Sequence, residues 1–103
     1  MPEYRLTRLA DADLVGIWQY TYQTWGKKQA DRYLGQLERR FIDLAQNPAK
    51  GSPRSELFAA CRMYPEGKHL IFYRPSDNGI EVVRVLHERM NVPQYFSDSA
   101  AEE

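Results

Sequence analysis

The stretch that decides the fold runs Lys68-His69-Leu70-Ile71-Phe72-Tyr73-Arg74, then Pro75-Ser76-Asp77-Asn78-Gly79, then Ile80-Glu81-Val82-Val83-Arg84-Val85-Leu86-His87. Two runs rich in β-branched and aromatic residues flank a segment built from turn formers. Proline presets φ there, Asp and Asn bond their own backbone, and Gly reaches positive φ freely. So short a connection makes the two runs antiparallel neighbours, because a parallel pair needs a crossover of about a dozen residues or more. Residues 60–65, with Cys61, Met63 and Tyr64, form a third candidate strand, and Pro65-Glu66-Gly67 marks the turn that follows it. Along residues 80–87, Ile80, Val82 and Leu86 alternate onto one face and Val83 and Val85 onto the other. Both faces are therefore apolar. Helices can cover one of them; the sheet's own curl and loops, or a partner chain, must cover the second.

Upstream, residues 49–59 contain Gly51-Ser52-Pro53 and read as a loop. Before them, Ala30, Tyr33, Leu34, Leu37, Phe41, Leu44 and Ala45 recur at helical spacing over residues 27–46, with Lys28, Asp31, Arg32, Glu38, Arg39 and Asp43 opposite. Asn47-Pro48 closes that helix, since the residue before proline disfavours the helical region. An earlier helix opens at Ala10-Asp11-Ala12-Asp13, with Asp11 as its expected N-cap, and carries Leu14, Ile17, Trp18, Thr21, Tyr22 and Trp25. Gly26 stops it, and the tight link makes the two helices an antiparallel hairpin. Residues 4–9 read as a first strand. The order is β-α-α-β-β-β, an α+β fold with an antiparallel helix hairpin packed on a small, mostly antiparallel sheet. One domain is expected over residues 1–96, with a frayed acidic tail over residues 97–103.

A chain of 103 residues can bury one core but no deep enclosed pocket, so function belongs on an open face or groove. Fourteen basic and fourteen acidic residues cancel, which removes the global field of a nucleic-acid binder, and no direct DNA binding is expected of the chain alone. The single cysteine, Cys61, forms no internal disulfide and suits a reducing cytoplasm; as a nucleophile it lacks a neighbouring base in sequence. With only two histidines beside it, no metal site or cofactor is expected. No signal region or membrane-length apolar run is present, so the chain reads as soluble, cytoplasmic and free of the membrane.

Several pieces together form a longer pattern: Ala10-Asp11-Ala12-Asp13-Leu14 with Ile17 and Trp25-Gly26, Gln29-Ala30 with Tyr33, and Leu44-Ala45 with Asn47-Pro48. It continues through Arg62 and Tyr64, Gly67, His69 and Ile71-Phe72-Tyr73, and ends on Ile80 to His87 with Met90. In order and spacing this resembles the ParE branch of the RelE/ParE toxin superfamily, over about residues 4–92. The resemblance implies the same β-α-α-β-β-β fold. It also implies a toxin of a type II toxin–antitoxin pair, held in a hetero-oligomer by a ParD-like antitoxin whose disordered half folds as it wraps the toxin. In the ParE branch the target is DNA gyrase, and the toxin blocks replication; in the RelE branch the toxin is a ribosome-dependent, metal-free mRNA endoribonuclease.

Cutting RNA without a metal requires a base for the 2′-hydroxyl, an acid for the leaving oxygen and cations for the phosphate. Arg62, Arg84 and His87 are the candidates, with Arg74, Glu88 and Arg89 nearby in sequence. Residues 91–96, Asn91-Val92-Pro93-Gln94-Tyr95-Phe96, lack the basic, tyrosine-bearing end of the cutters, with Tyr95 the only late tyrosine and placed past Pro93, so the gyrase reading leads. On that reading Arg62, Arg74, Arg84, His87, Arg89 and Met90 form the target surface, and His87 is equally a capping residue at a strand end. Arg84 sits in line with apolar residues and should pair with a carboxylate. Arg62 is either a cross-strand partner or part of a basic face. Trp18, Tyr22 and Trp25 read as core and rim, or with His69, Tyr73, Val83 and Val85 as the antitoxin surface.

Overall fold

Alternating apolar residues and tight turns produce the central pair of the sheet, β4 (His69–Ser76) and β5 (Gly79–His87). The computed structural model describes residues 2–96, so the expected fraying of residues 97–103 lies outside the described residues. Before β4 come β1 (Glu3–Leu6), α1 (Arg8–Trp25), α2 (Lys27–Gln46), β2 (Ser52–Pro53) and β3 (Arg62–Glu66). Short 3₁₀ turns occupy Pro48–Lys50 and Val92–Tyr95. The strand order is β1-β5-β4-β3-β2; β1 runs parallel to β5 and the other pairings are antiparallel. This is the expected α+β architecture with one addition. The segment read as a loop contributes β2, whose two residues pair with Met63 and Arg62 at the sheet edge, where a proline costs no ladder bond.

Helix α1 starts earlier than its acids suggest. Thr7, not Asp11, caps it: the Thr7 hydroxyl accepts from Ala10 N at 3.0 Å and donates to Val83 O at 2.7 Å. One residue thus satisfies a helix end and ties that end to β5. Strand β1 can lie against β5 because Gly79 holds φ at +148°, and a Cβ there would stand 1.9 Å from Glu3 O. Only glycine admits so close a backbone approach.

The register of β5 corrects the simple alternation. Phe72 pairs with Arg84 but Tyr73 pairs with Val82, so Val83 is the extra residue of a β-bulge. The bulge resets the pleat. Ile80, Val82 and Val85 pack with Ile71 and Tyr73 against Ala10, Ile17, Leu37, Phe41, Leu44 and Ala45 of the helices. Leu86 and Val83 turn to the opposite face with Phe72. That second face is covered by the chain itself. Leu57, Phe58 and Cys61 close over it, and Phe96 packs edge-on to Phe72 at 5.1 Å and tilted to Phe58 at 5.4 Å. Among the described residues no helix is long and apolar enough to cross a membrane.

Candidate target and antitoxin surfaces

Strand β1 ends at Leu6, which leaves the upper edge of β5 without a strand neighbour. The start of α1 supplies the missing partners. Thr7 N donates to Val82 O at 3.0 Å, and Val85 N donates to Asp13 Oδ2 at 2.9 Å. The same carboxylate receives Arg84 Nε and Nη2, each at 2.8 Å, in a bidentate pair whose side chains are both only 14% exposed. The Arg84 guanidinium also lies 5.5 Å from the centre of the Tyr95 ring. Arg84 has the carboxylate that its apolar setting requires, and its bond to Asp13 raises its pKa further.

At the far end of the pair, His69 and His87 face each other in register with their rings edge-on at 5.3 Å. Tyr33 reaches across from α2, placing its hydroxyl 2.6 Å from His69 Nδ1. Burial, and then the neighbouring His87, push the His69 pKa from 6.5 down to about 4, so the ring is neutral at physiological pH. His87 Nδ1 accepts Arg89 N at 3.1 Å, the arrangement of a residue that caps the strand end. Beyond it Arg89 and Met90 are exposed.

The other arginines are committed to structure. Arg62 Nη1 donates to Gly51 O at 2.5 Å and to Ala49 O at 3.3 Å, fastening the turn between α2 and β2. Among the described residues it has no carboxylate partner across the strands, and it is half-buried. Arg74 pairs with Glu81 opposite it, at 2.7 and 2.9 Å. Arg62 stands opposite Tyr73 and His87 opposite His69. Four residues of β4 separate those positions, about 13 Å along the strand. The structure therefore does not bring Arg62, Arg84 and His87 together as one RNA-cutting site. The Cys61 thiol, buried in the second core, is pushed up to about 12 by desolvation, far from a reactive thiolate.

Of the residues expected to meet a partner, Tyr73 and Val85 are corrected: both are buried. The Tyr73 hydroxyl accepts Gly51 N and donates to Pro48 O, each at 2.8 Å, so its polar end is satisfied inside the chain. His69 and Val83 are half-buried. Trp18 stacks on Tyr22 at 5.1 Å and donates its indole N–H to Asp31 at 3.0 Å, which anchors α1 to α2. Tyr22 is 47% and Trp25 71% exposed. Sequence reading missed Asp13 as the counter-ion of Arg84, Tyr33 as the partner of His69, and the exposure of Val15 and Tyr20. Asp13 carried a signal, being the only charged residue from Ala12 through Trp25.

The chain is similar in sequence and fold to known proteins. Residues 4–92 match the family model for the ParE toxin of the type II toxin–antitoxin system parDE. The chain is 42% identical over 91 residues to Toxin ParE1 of Caulobacter vibrioides, covering 88% of this chain and 94% of that protein. It is 39% identical over 99 residues to Toxin ParE of Escherichia coli, covering 95% and 96%. The fold resembles a chain of the chromosomal ParDE system from P. aeruginosa, with a TM-score of 0.70 at 20% identity over 84% of this chain and 96% of that one. It also resembles, at TM-score 0.54 and 16% identity over 84% and 97%, a chain of the YoeB-YefM complex from Staphylococcus aureus. With its bulged last strand, helix hairpin and near-full-length match, the chain belongs to the ParE toxin family of type II toxin–antitoxin systems.

Proposed function

We propose that this toxin acts without catalysis, by binding DNA gyrase through the C-terminal end of β5, and that a ParD-like antitoxin neutralises it by direct contact. The observation that carries the reading is the fate of the cutting candidates. Arg84 is closed onto Asp13, Arg62 is held by two backbone carbonyls, and His87 stands about 13 Å along the sheet from Arg62. A phosphate in a transition state needs cations that are free to meet it, and here Arg84 is paired with a carboxylate and Arg62 is tethered through Nη1 to two backbone carbonyls. What remains available at the strand end is a contact surface of His87, Arg89 and Met90, whereas Arg74 lies at the other end of β4, paired with Glu81. An exposed cation beside an exposed thioether suits protein recognition.

The antitoxin reading rests on the aromatic side of α1. Tyr22 and Trp25 expose much of their large rings, and Trp18, stacked on Tyr22, and half-buried His69 and Val83 extend the set. Rings of this kind anchor protein interfaces because they bury much area at small entropic cost. The test is plasmid supercoiling by purified gyrase with excess toxin, then with stoichiometric antitoxin. Inhibition relieved by the antitoxin supports the proposal. Unimpaired supercoiling together with A-site cuts in ribosome-bound mRNA would replace it with the endoribonuclease reading.

A further inference from the structure

The residues after β5 return across the second face of the sheet. Glu88 N donates to Lys68 O at 2.9 Å and carries the pairing one residue past His87. The chain then turns. Met90 N donates to His87 O at 3.0 Å and Arg89 N to His87 Nδ1 at 3.1 Å, with Arg89 and Met90 exposed at the apex. Pro93 presets φ in the 3₁₀ turn Val92–Tyr95, where Gln94 N donates to Asn91 O and Phe96 N to Pro93 O, each at 3.2 Å. Phe96 comes to rest on Phe72, which stands opposite Arg84. From His87 back to Arg84 is three strand residues, so the chain has doubled back by roughly 10 Å.

We propose that Phe96 is a positioning residue for the target surface: its burial pins this return leg and so presents Arg89 and Met90 as a preformed tip. The inference rests on the target reading above and deepens it. Phe96 is 3% exposed and packs on Phe72 at 5.1 Å and Phe58 at 5.4 Å, with Leu57 and Leu86 in the same cluster. Tyr95 is a second pin. Its ring lies 5.5 Å from the Arg84 guanidinium, which Asp13 already holds in place from α1. The Gln94 and Phe96 backbone bonds run within the return leg, so aromatic packing is what seats it on the sheet. The cluster that takes Phe96 lies on the face away from the helices, separate from the core that joins α1 and α2 to the sheet. Loss of the ring therefore frees the tip before it loosens the body. A tip that must be ordered on contact gives up affinity to entropy, and one ordered in advance does not.

The test uses the full-length toxin with Phe96→Ala, and with Phe96→Leu, which keeps an apolar side chain in the socket. Amide hydrogen exchange is read first, with no target present. In Phe96→Ala the Arg89 and Met90 amides should exchange at least tenfold faster, while Ile71 and Val82 of the first core keep the parent rates. Phe96→Leu should bring Arg89 and Met90 back to within threefold of the parent. Linear-plasmid formation by gyrase should then require at least tenfold more Phe96→Ala than parent toxin, with antitoxin affinity changed less than threefold. Parent-like exchange at Arg89 and Met90 in Phe96→Ala overturns the proposal. So do equal losses of gyrase and antitoxin binding, which would mark the ring as merely structural. Tyr95→Ala removes the exposed pin without opening the core and should shift both readouts about threefold the same way. No shift from it overturns the proposal even where Phe96→Ala loses its fold. Parent toxin inactive on gyrase at every concentration would instead refute the target reading, and the exchange rates would still decide the positioning.

Discussion

Replacing Asp13 by alanine should cost more stability than any other single change on the surface of α1. The carboxylate holds three donors: Arg84 Nε, Arg84 Nη2 and the Val85 N–H left open where β1 ends. Asp13→Ala removes all three bonds and leaves a guanidinium with 14% of its side chain exposed and no counter-charge. Breaking a buried pair from one side costs about 3–5 kcal/mol, and the residual exposure here places the loss near the lower end, about 3 kcal/mol. For a domain of this size that lowers Tm by roughly 12–24 °C. Asp13→Asn keeps an acceptor for one or two donors and should lose about half as much. The double change Asp13→Leu with Arg84→Leu removes both charges together and should return to within about 1 kcal/mol of the parent, because an apolar pair needs no desolvation. Differential scanning calorimetry of the three variants checks the series. An Asp13→Ala protein melting within about 2 °C of the parent would refute the idea that this carboxylate holds the start of α1 to β5.

Three further outcomes are expected. The folded His69 ring stays neutral until pH nears 4, whereas the unfolded ring takes up its proton around 6.5, so the unfolded state binds more protons between those values. Stability should therefore fall as pH drops from 6.5 to 4, by about 1–2 kcal/mol after screening of a ring that is not wholly buried. Urea melts should show the loss, His69→Phe should flatten it, and an NMR midpoint for His69 near 6.5 would contradict it. Tyr73→Phe strands Gly51 N–H and Pro48 C=O in the interior and should cost about 1–3 kcal/mol in urea unfolding, with an unchanged parent-like value counting against the bond. Cys61, with its thiol at about 12, should resist alkylation at pH 8 until the chain unfolds; stoichiometric labelling of native protein would show the second core to be open.

The fold was legible where local signals and tertiary demands agreed. The helix hairpin around Gly26 and the meander around Pro65 to Gly67 and Asp77 to Gly79 follow from periodicity and turn chemistry alone. Thr7 and β2 were not legible, because each depends on a distant partner: the Val83 carbonyl for one, β3 for the other. The bulge at Val83 decided the candidate surfaces. Strict alternation places Val85 outward and Leu86 inward; one extra residue exchanges them, and no composition cue marks the exchange. The need of Arg84 for a carboxylate was readable from its apolar neighbours, but the donor of that carboxylate lies 71 residues away. The aromatic side of α1 was visible as a set of residues, whereas which of its rings face outward depended on how α1 rolls against α2.

The most direct measurement of the central claim is the accumulation of covalent gyrase–DNA cleavage complexes, seen as linear plasmid after detergent and protease treatment. The toxin should convert supercoiled plasmid to linear form in proportion to its concentration, the antitoxin should abolish this, and the folded variant Arg89→Glu should require at least tenfold more protein. Plasmid that stays supercoiled at every toxin concentration, with gyrase fully active, would contradict the account.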